Sequence, residues 1–208
     1  MAIKQVSLTN EFILKIAGVC VFLFYLIISI NSELIPGWLA VPFIMLAGPI
    51  LYLIIQHIFS SRFVSSILLK KMRNGIILLS IAFIVFTILS IIQQTGLIRY
   101  KTIANKDLEE TFFLVNSIQL GFDLVFDVFY GLGIMIISNV LLTENKRSLV
   151  GWIGVISSTL LLGINILTFP EPPTTKGFID MGPITLLWWI LLIIKIKSNN
   201  LWQKHQVK

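Results

Sequence analysis

The stretch GIILLSIAFIVFTILSIIQ, from Gly75 to Gln93, contains no charged residue. A helix needs ~20 mostly apolar residues to cross the hydrocarbon of a bilayer, and a run of this length is typical of one. The rest of the chain has the same character, since 56% of its 208 residues are hydrophobic and 12% are charged. Soluble domains carry about 25% charged residues, so the composition predicts a membrane protein and excludes an ordinary water-soluble fold.

Apolar runs of this kind recur along the chain, each bounded by polar residues, Pro or Gly. We predict that each forms a transmembrane helix. The expected fold is an all-α bundle of six transmembrane helices in a single domain, residues 1–208. The predicted spans are residues 12–30, 37–59, 75–93, 111–142, 150–169 and 178–196.

Basic residues predict the orientation, because Lys and Arg are enriched in cytoplasmic loops. One set of predicted loops and ends carries eleven of them: Lys4, Arg62, Lys70, Lys71, Arg73, Lys146, Arg147, Lys195, Lys197, Lys204 and Lys208. The other set carries four: Arg99, Lys101, Lys106 and Lys176. Both termini are therefore expected in the cytoplasm. The net charge of +6 is interpreted as a topology signal, and no nucleic-acid partner is predicted.

The segment SRFVSSILLKKMR, residues 61–73, joins the second and third predicted spans on the basic side. Its apolar residues lie near one helical face, and Arg62, Lys70, Lys71 and Arg73 lie mostly elsewhere. Such a segment can form a short helix on the inner leaflet, where these four residues would contact anionic lipid. It can equally be a basic loop with a frayed helix end, and the sequence leaves both interpretations open.

Two aspartates interrupt the apolar stretch GFDLVFDVF, residues 121–129, in the fourth predicted span. Asp123 and Asp127 differ by about 40° around a helix, and Gln119 and Tyr130 fall on the same stripe. A polar stripe on a transmembrane helix faces protein or water, not lipid. A helix over residues 111–142 is about 48 Å long against a ~30 Å hydrocarbon core, so the acids are expected in the outer half of the membrane.

Other polar residues are predicted at the same depth. Asn165 lies near the outer end of the fifth span, on a helical face with Gly151, Gly154 and Ser158, and small residues allow helices to approach closely. Asp180 opens the sixth span, where it is suitably placed to cap the helix. We therefore expect an outward-facing polar pocket with an acidic floor. Its candidate residues are Asp123, Asp127, Gln119, Tyr130, Asn165 and Asp180.

Two carboxylates one helical turn apart in a low-dielectric setting are not expected to ionise together without compensation. One of them can be protonated, as in a proton carrier, or a cation or amine can be bound. A base of the outer loops, Arg99 or Lys176, can instead form a structural ion pair with them. The alternative to a proton or ligand site is polar packing that only orders the bundle.

Signatures of catalysis are missing from the sequence. It contains no nucleophile–base pattern, phosphate-binding glycine loop or haem motif, and its two histidines belong to no metal-ligand cluster. No catalytic residue, metal or cofactor is therefore predicted, and an intramembrane lipid-modifying enzyme is the least supported class. The leading hypothesis is a protein that binds or passes a proton, a cation or a small cationic solute. The second is a non-transporting membrane sensor or assembly partner, with contacts at residues 61–73 and 94–110.

Three motifs, GFDLVFDVF, NILTFPEPP and DMGP, occur in this order in the second half of the chain. Their order and spacing resemble those of a group of uncharacterised bacterial multi-pass membrane proteins of about this length, over residues 115–195. The resemblance implies a protein of the bacterial cytoplasmic membrane. It assigns no catalytic role to any residue, because the group has no assigned reaction.

Overall fold

The computed structural model describes residues 37–59, 66–102 and 109–198. Within these ranges the chain forms five α-helices, a short 3-10 helix at Pro173–Lys176 and no β-strand. The α-helices are α1 (Gly37–Ile58), α2 (Ser66–Thr102), α3 (Glu109–Glu144), α4 (Leu149–Thr168) and α5 (Gly182–Ser198). The predicted all-α fold is confirmed for the described residues.

Three helices are long and apolar enough to cross a membrane. Their apolar stretches are Ser66–Ile92, Phe113–Glu144 and Leu149–Thr168, and α1 contains a shorter apolar stretch, Leu46–Gln56. The three correspond to the third, fourth and fifth predicted spans. The first predicted span, residues 12–30, lies outside the described residues. The count of six spans and the location of the termini therefore stay predictions.

Helices α2 and α3 extend beyond the predicted spans. They contain 37 and 36 residues, which corresponds to about 55 Å and 54 Å. Helix α2 begins at Ser66, not at Gly75, because the charged residues that end an apolar run do not by themselves end a helix. Residues 66–73 are thus the first turns of a long helix, and this part of the basic segment is not a separate helix lying on the leaflet.

Each helix packs chiefly against its neighbours in the chain, and α2 and α3 form the most extensive pair. Glycines mark their closest approach. A Cβ on Gly75 would lie 2.9 Å from the Gly133 carbonyl oxygen, and a Cβ on Gly133 would lie 3.0 Å from that of Gly75. Between membrane helices such small residues permit the close van der Waals packing that drives association. Buried Leu79, Ile134 and Ile137 form the core beside this crossing.

The small-residue face predicted for the fifth span packs against neighbouring helices, as expected. Gly151, Gly154 and Ser158 are buried. A Cβ on Gly154 would collide with the Ser138 hydroxyl of α3 and with the Trp188 indole of α5. Gly154 therefore lies at the point where α3, α4 and α5 meet, and its missing side chain lets the three helices come together.

The two ends of the bundle differ in charge. At one end the Nζ of Lys71 on α2 lies 2.5 Å from the Oε1 of Glu144 on α3, which brings the start of α2 beside the α3–α4 turn. We call this the basic end. Its exposed cations are Lys70, Lys71, Arg73, Lys146 and Arg147. The opposite end holds the α4–α5 connection, where exposed Glu171 and Asp180 outnumber Lys176.

Candidate functional site

Asp127 is joined to α4 by a hydrogen bond. The Asn165 side-chain amide donates from Nδ2 to Oδ2 of Asp127 at 2.7 Å, and both side chains are half-buried. A side-chain amide N–H can donate to a carboxyl oxygen whether the acid is ionised or protonated. The contact fixes the direction of the Asp127 carboxyl group and holds this part of α3 against the last turn of α4.

Asp123 lies one helical turn before Asp127 and has a different environment. Its side chain is exposed, and no hydrogen bond to its carboxylate is found among the described residues. A Cβ on Gly121, which lies on nearly the opposite face of the helix, would also meet nothing within 4 Å among the described residues. The stripe therefore contains one carboxylate that is held and one that is not.

Position along α3 sets the depth of the two acids. The charged pair Lys71–Glu144 serves as the reference point, because charged groups favour water over hydrocarbon. At 1.5 Å per residue, Asp127 lies about 26 Å and Asp123 about 32 Å along the helix from Glu144. A hydrocarbon core of ~30 Å, measured from Glu144 along an untilted α3, would end between Asp127 and Asp123.

Asp180 lies in the α4–α5 connection, just before α5, and belongs to the same region of the structure. Its Oδ1 accepts a hydrogen bond from the Gly182 backbone N–H at 2.8 Å, and this confirms the predicted cap of α5. Asp180 also lies near enough to interact by charge with both Asp123 and Asp127. The structure thus brings three carboxylates to one region. Within the described part of the chain, they do not form a cluster that could hold a metal ion.

Tyr130 follows the acids on α3 and is buried. Its hydroxyl accepts a hydrogen bond from Nε1 of Trp189 on α5 at 2.9 Å. Its ring stacks on Phe126 with centroids 5.2 Å apart and meets Phe83 of α2 edge-on at 6.1 Å. Tyr130 therefore connects α3 with both α2 and α5, directly below the two acids.

Gln119 lies one helical turn before Asp123 on α3 and is half-buried. Among the described residues, no hydrogen bond joins its amide to either aspartate. Of the three partners predicted for the acids, Asn165 contacts Asp127, Tyr130 lies below the acids with Trp189, and Gln119 is not brought to them.

The structural ion pair considered for the acids has two candidate bases. The Nζ of Lys176 donates to the Thr168 carbonyl oxygen at 3.0 Å and lies 4.0 Å from Oε2 of Glu171. It therefore holds the end of α4 and the following loop and does not pair with Asp123 or Asp127. The side chain of Arg99, the other candidate, lies outside the described residues.

Sequence reasoning missed Trp189 and Phe126 as members of this region. Both are apolar or aromatic residues within long apolar runs, where most such residues face lipid or fill the core. Only the packing of α5 against α3 makes the Trp189 indole a partner of Tyr130. A single-helix pattern contains no signal for such an interhelical pair.

Comparisons with protein-family models, with curated proteins and with solved structures find no match to this chain. The resemblance of its three motifs to bacterial multi-pass membrane proteins therefore stays a prediction.

Proposed function

We propose that this chain is a six-helix protein of the bacterial cytoplasmic membrane with both termini in the cytoplasm. Three helices apolar enough to cross a bilayer support the membrane location. The concentration of cations at the basic end supports the orientation, since Lys and Arg are enriched on the cytoplasmic side. The bacterial origin rests on the resemblance of the motifs at residues 121–129, 165–173 and 180–183.

In this proposal the acids of α3 form an outward-facing site that binds or passes a proton, a cation or a small cationic solute. The contrast between the two aspartates carries the proposal: Asp127 is oriented by Asn165, whereas Asp123 is exposed and has no hydrogen bond among the described residues. Among the described residues the exposed Asp123 carboxylate holds no other helix, so packing between helices does not account for an acid at this position. An acid left open beside an oriented one is better suited to a transient positive partner.

The arrangement suggests an order of contact. Asp180 and Asp123 are exposed, so a cation approaching from outside meets their negative charge first. Asp127 lies one turn deeper and its carboxylate is already directed by Asn165, so it forms the inner position. Below the acids α3 carries the stacked aromatic rings of Phe126 and Tyr130, so the polar stripe gives way to apolar packing there.

The experiment that tests this proposal is thermal unfolding of the purified protein in detergent between pH 4 and 9. The wild type is compared with the Asp123→Asn/Asp127→Asn variant, each with a panel of inorganic cations and amines. We expect the unfolding midpoint of the wild type to respond to pH or to one class of cation, and that of the double variant not to. A ligand present at 100 times its Kd stabilises the folded state by about 2.7 kcal/mol.

Glu171→Gln provides the matched control, because Glu171 is an exposed acid at the same end of the bundle that the proposal leaves outside the site. It should retain the response of the wild type. Identical responses of the wild type and the double variant would refute the site and leave the acids a structural role.

A second function is favoured by a different observation. The bonds Asn165–Asp127 and Trp189–Tyr130 tie α4 and α5 to α3, as expected in a bundle ordered by polar contacts alone. In that case the chain is a non-transporting membrane sensor or assembly partner. Its contacts would lie in the basic segment and in residues 94–110, whose side chains lie outside the described residues. The pH and ligand experiment separates the two functions.

Contact of the basic segment with anionic lipid is part of the proposal. Lys70 and Arg73 are exposed on the first turns of α2 and remain available to headgroups. Lys71 pairs with Glu144, so it contributes less free charge than its sequence position suggests. Arg62 lies outside the described residues.

A further inference from the structure

The α3–α4 turn presents two cations on an ordered backbone. Ser148 donates its N–H to the Asn145 carbonyl oxygen at 2.9 Å, and Oδ1 of Asn145 accepts the Arg147 N–H at 3.0 Å. The Ser148 hydroxyl accepts the Gly151 N–H at 3.2 Å. These bonds fix residues 145–148, so Lys146 and Arg147 are held at defined positions at the basic end.

Neither cation is neutralised by a carboxylate of the described residues. Lys146 and Arg147 are exposed, and among the described residues neither side chain forms an ion pair with a carboxylate, since Glu144 pairs with Lys71. The first turn of α4 contains no acid. The start of a helix carries partial positive charge, which disfavours cations there. No described residue therefore supplies the negative charge that would complement this turn, and an anion bound there would do so.

A tryptophan places the turn at the level of a membrane surface. Trp152, in the first turn of α4, is 51% exposed, and its Nε1 donates to the Lys146 carbonyl oxygen at 3.1 Å. Leu149 beside it is 67% exposed. Tryptophan favours the boundary between hydrocarbon and headgroups, where its ring is apolar and its N–H finds a polar partner. The cations of the turn thus lie at headgroup height.

We propose that the α3–α4 turn is a docking surface for anionic phospholipid headgroups, in which Lys146 and Arg147 bind the lipid phosphate and Trp152 rests between the turn and the acyl chains. Arg147 can bind a phosphate through two parallel N–H groups, and Lys146 acts as a point charge. The backbone N–H of Gly151 is already bonded to Ser148, so recognition belongs to the side chains. This surface is distinct from the first turns of α2 and from the acids at the other end.

The test titrates the purified full chain in detergent with phosphatidylglycerol or phosphatidylcholine and follows thermal stabilisation to obtain an apparent affinity. We expect the wild type to prefer phosphatidylglycerol, and Lys146→Gln/Arg147→Gln to bind it roughly 30-fold more weakly, as two juxtamembrane cations contribute. The preference should fall with added salt. Trp152→Phe should weaken binding without a change in charge.

The matched control is Lys70→Gln/Arg73→Gln, which removes the same charge from the same end of the bundle on α2. Lys70 and Arg73 are themselves proposed to contact anionic headgroups, so this variant should lose some affinity for phosphatidylglycerol, but clearly less than the variant of the turn. An equal loss in this control would show that only the overall charge of the basic end matters and would overturn the assignment to the turn. Equal binding of the two lipids by the wild type, or an equal effect of soluble glycerol 1-phosphate, would overturn it as well.

The proposal can also be tested if the Lys146→Gln/Arg147→Gln variant fails to fold. If the double variant does not fold, Lys146→Arg/Arg147→Lys keeps both charges and should preserve the preference for phosphatidylglycerol. The salt dependence of the wild type then supplies the second measurement, and a preference unaffected by salt would contradict recognition by these cations.

Discussion

The hydrogen bond between Asn165 and Asp127 is a single contact between two helices, and its energetic effect can be measured. Asn165→Ala removes the donor and leaves a half-buried carboxylate without this partner, so we expect a loss of about 1–3 kcal/mol in the free energy of unfolding. The measurement is reversible unfolding in mixed micelles. A double-mutant cycle with Asp127→Ala should give a coupling of about 1 kcal/mol, within the range of interhelical hydrogen bonds in membranes.

Asn139→Ala is the control for this prediction, because Asn139 is an exposed asparagine of α3. It should change stability by no more than about 0.5 kcal/mol. If both alanine variants lose the same free energy, the effect reflects loss of a polar group and not loss of the Asp127 contact.

The polar stripe of α3 was predictable from the spacing of its residues. Which of these residues forms a hydrogen bond with another helix was not. Residues four apart share a helical face whatever surrounds them, so Asp123 and Asp127 had to lie together. Whether a carboxylate of α3 has a hydrogen-bond partner depends on which turn of α4 packs beside it. That register is set by the α3–α4 turn and by glycine crossings elsewhere, which is why Asn165 reaches Asp127 and leaves Asp123 open.

At the scale of the helix, α4 offers two glycines for a matched comparison. A Cβ on Gly154 would collide with Ser138 and Trp188, whereas a Cβ on Gly163 would meet nothing within 4 Å. We expect Gly154→Ala to lower the free energy of unfolding by about 1–3 kcal/mol, because the neighbouring helices must move apart. Gly163→Ala should be neutral or stabilising by up to about 1 kcal/mol, since alanine is the better helix former.

The comparison uses thermal and denaturant unfolding of the two variants in the same detergent. Equal effects of the two substitutions would contradict close packing at Gly154. A destabilised Gly163→Ala would instead indicate a neighbour on the exposed side of α4.

Helix identity was predictable, and helix ends were less so. The apolar runs placed α4 within one residue of its bounds, because the charged turn and the proline-rich segment that flank it break both the apolar pattern and the helix. In α2 the apolar pattern and the helix begin at different residues. Leu68 and Met72 continue the buried face through the charged residues of its first turns, so the helix begins before the apolar run does.

For the whole molecule, the orientation in the membrane can be tested by cysteine labelling. The chain has a single cysteine, Cys20, and a Cys20→Ser background leaves none. We expect Thr174→Cys, in the α4–α5 connection, to react with a membrane-impermeant maleimide in intact cells. Lys146→Cys, at the basic end, should react only after the membrane is opened, because Lys and Arg are enriched on the cytoplasmic side.

Both positions are exposed, so a difference in labelling reports location and not burial. The reverse pattern would show that the basic end faces outward and would exclude an outward-facing site at Asp123. Labelling of both positions in intact cells would contradict a membrane between them.

The length of the α2–α3 pair has a consequence for the bilayer itself. Lys71 and Glu144 join the two helices at the basic end. Along α3, Asp123 lies about 32 Å from Glu144, and this distance does not change with the thickness of the membrane. With the proposed placement, a thinner membrane leaves this carboxylate among the headgroups. In a thicker membrane it lies within the hydrocarbon, where the cost of a charge rises with depth towards the ~2.5–3.5 kcal/mol of the bilayer centre. We therefore expect the acyl-chain length of the surrounding lipid to decide whether Asp123 meets headgroups or hydrocarbon.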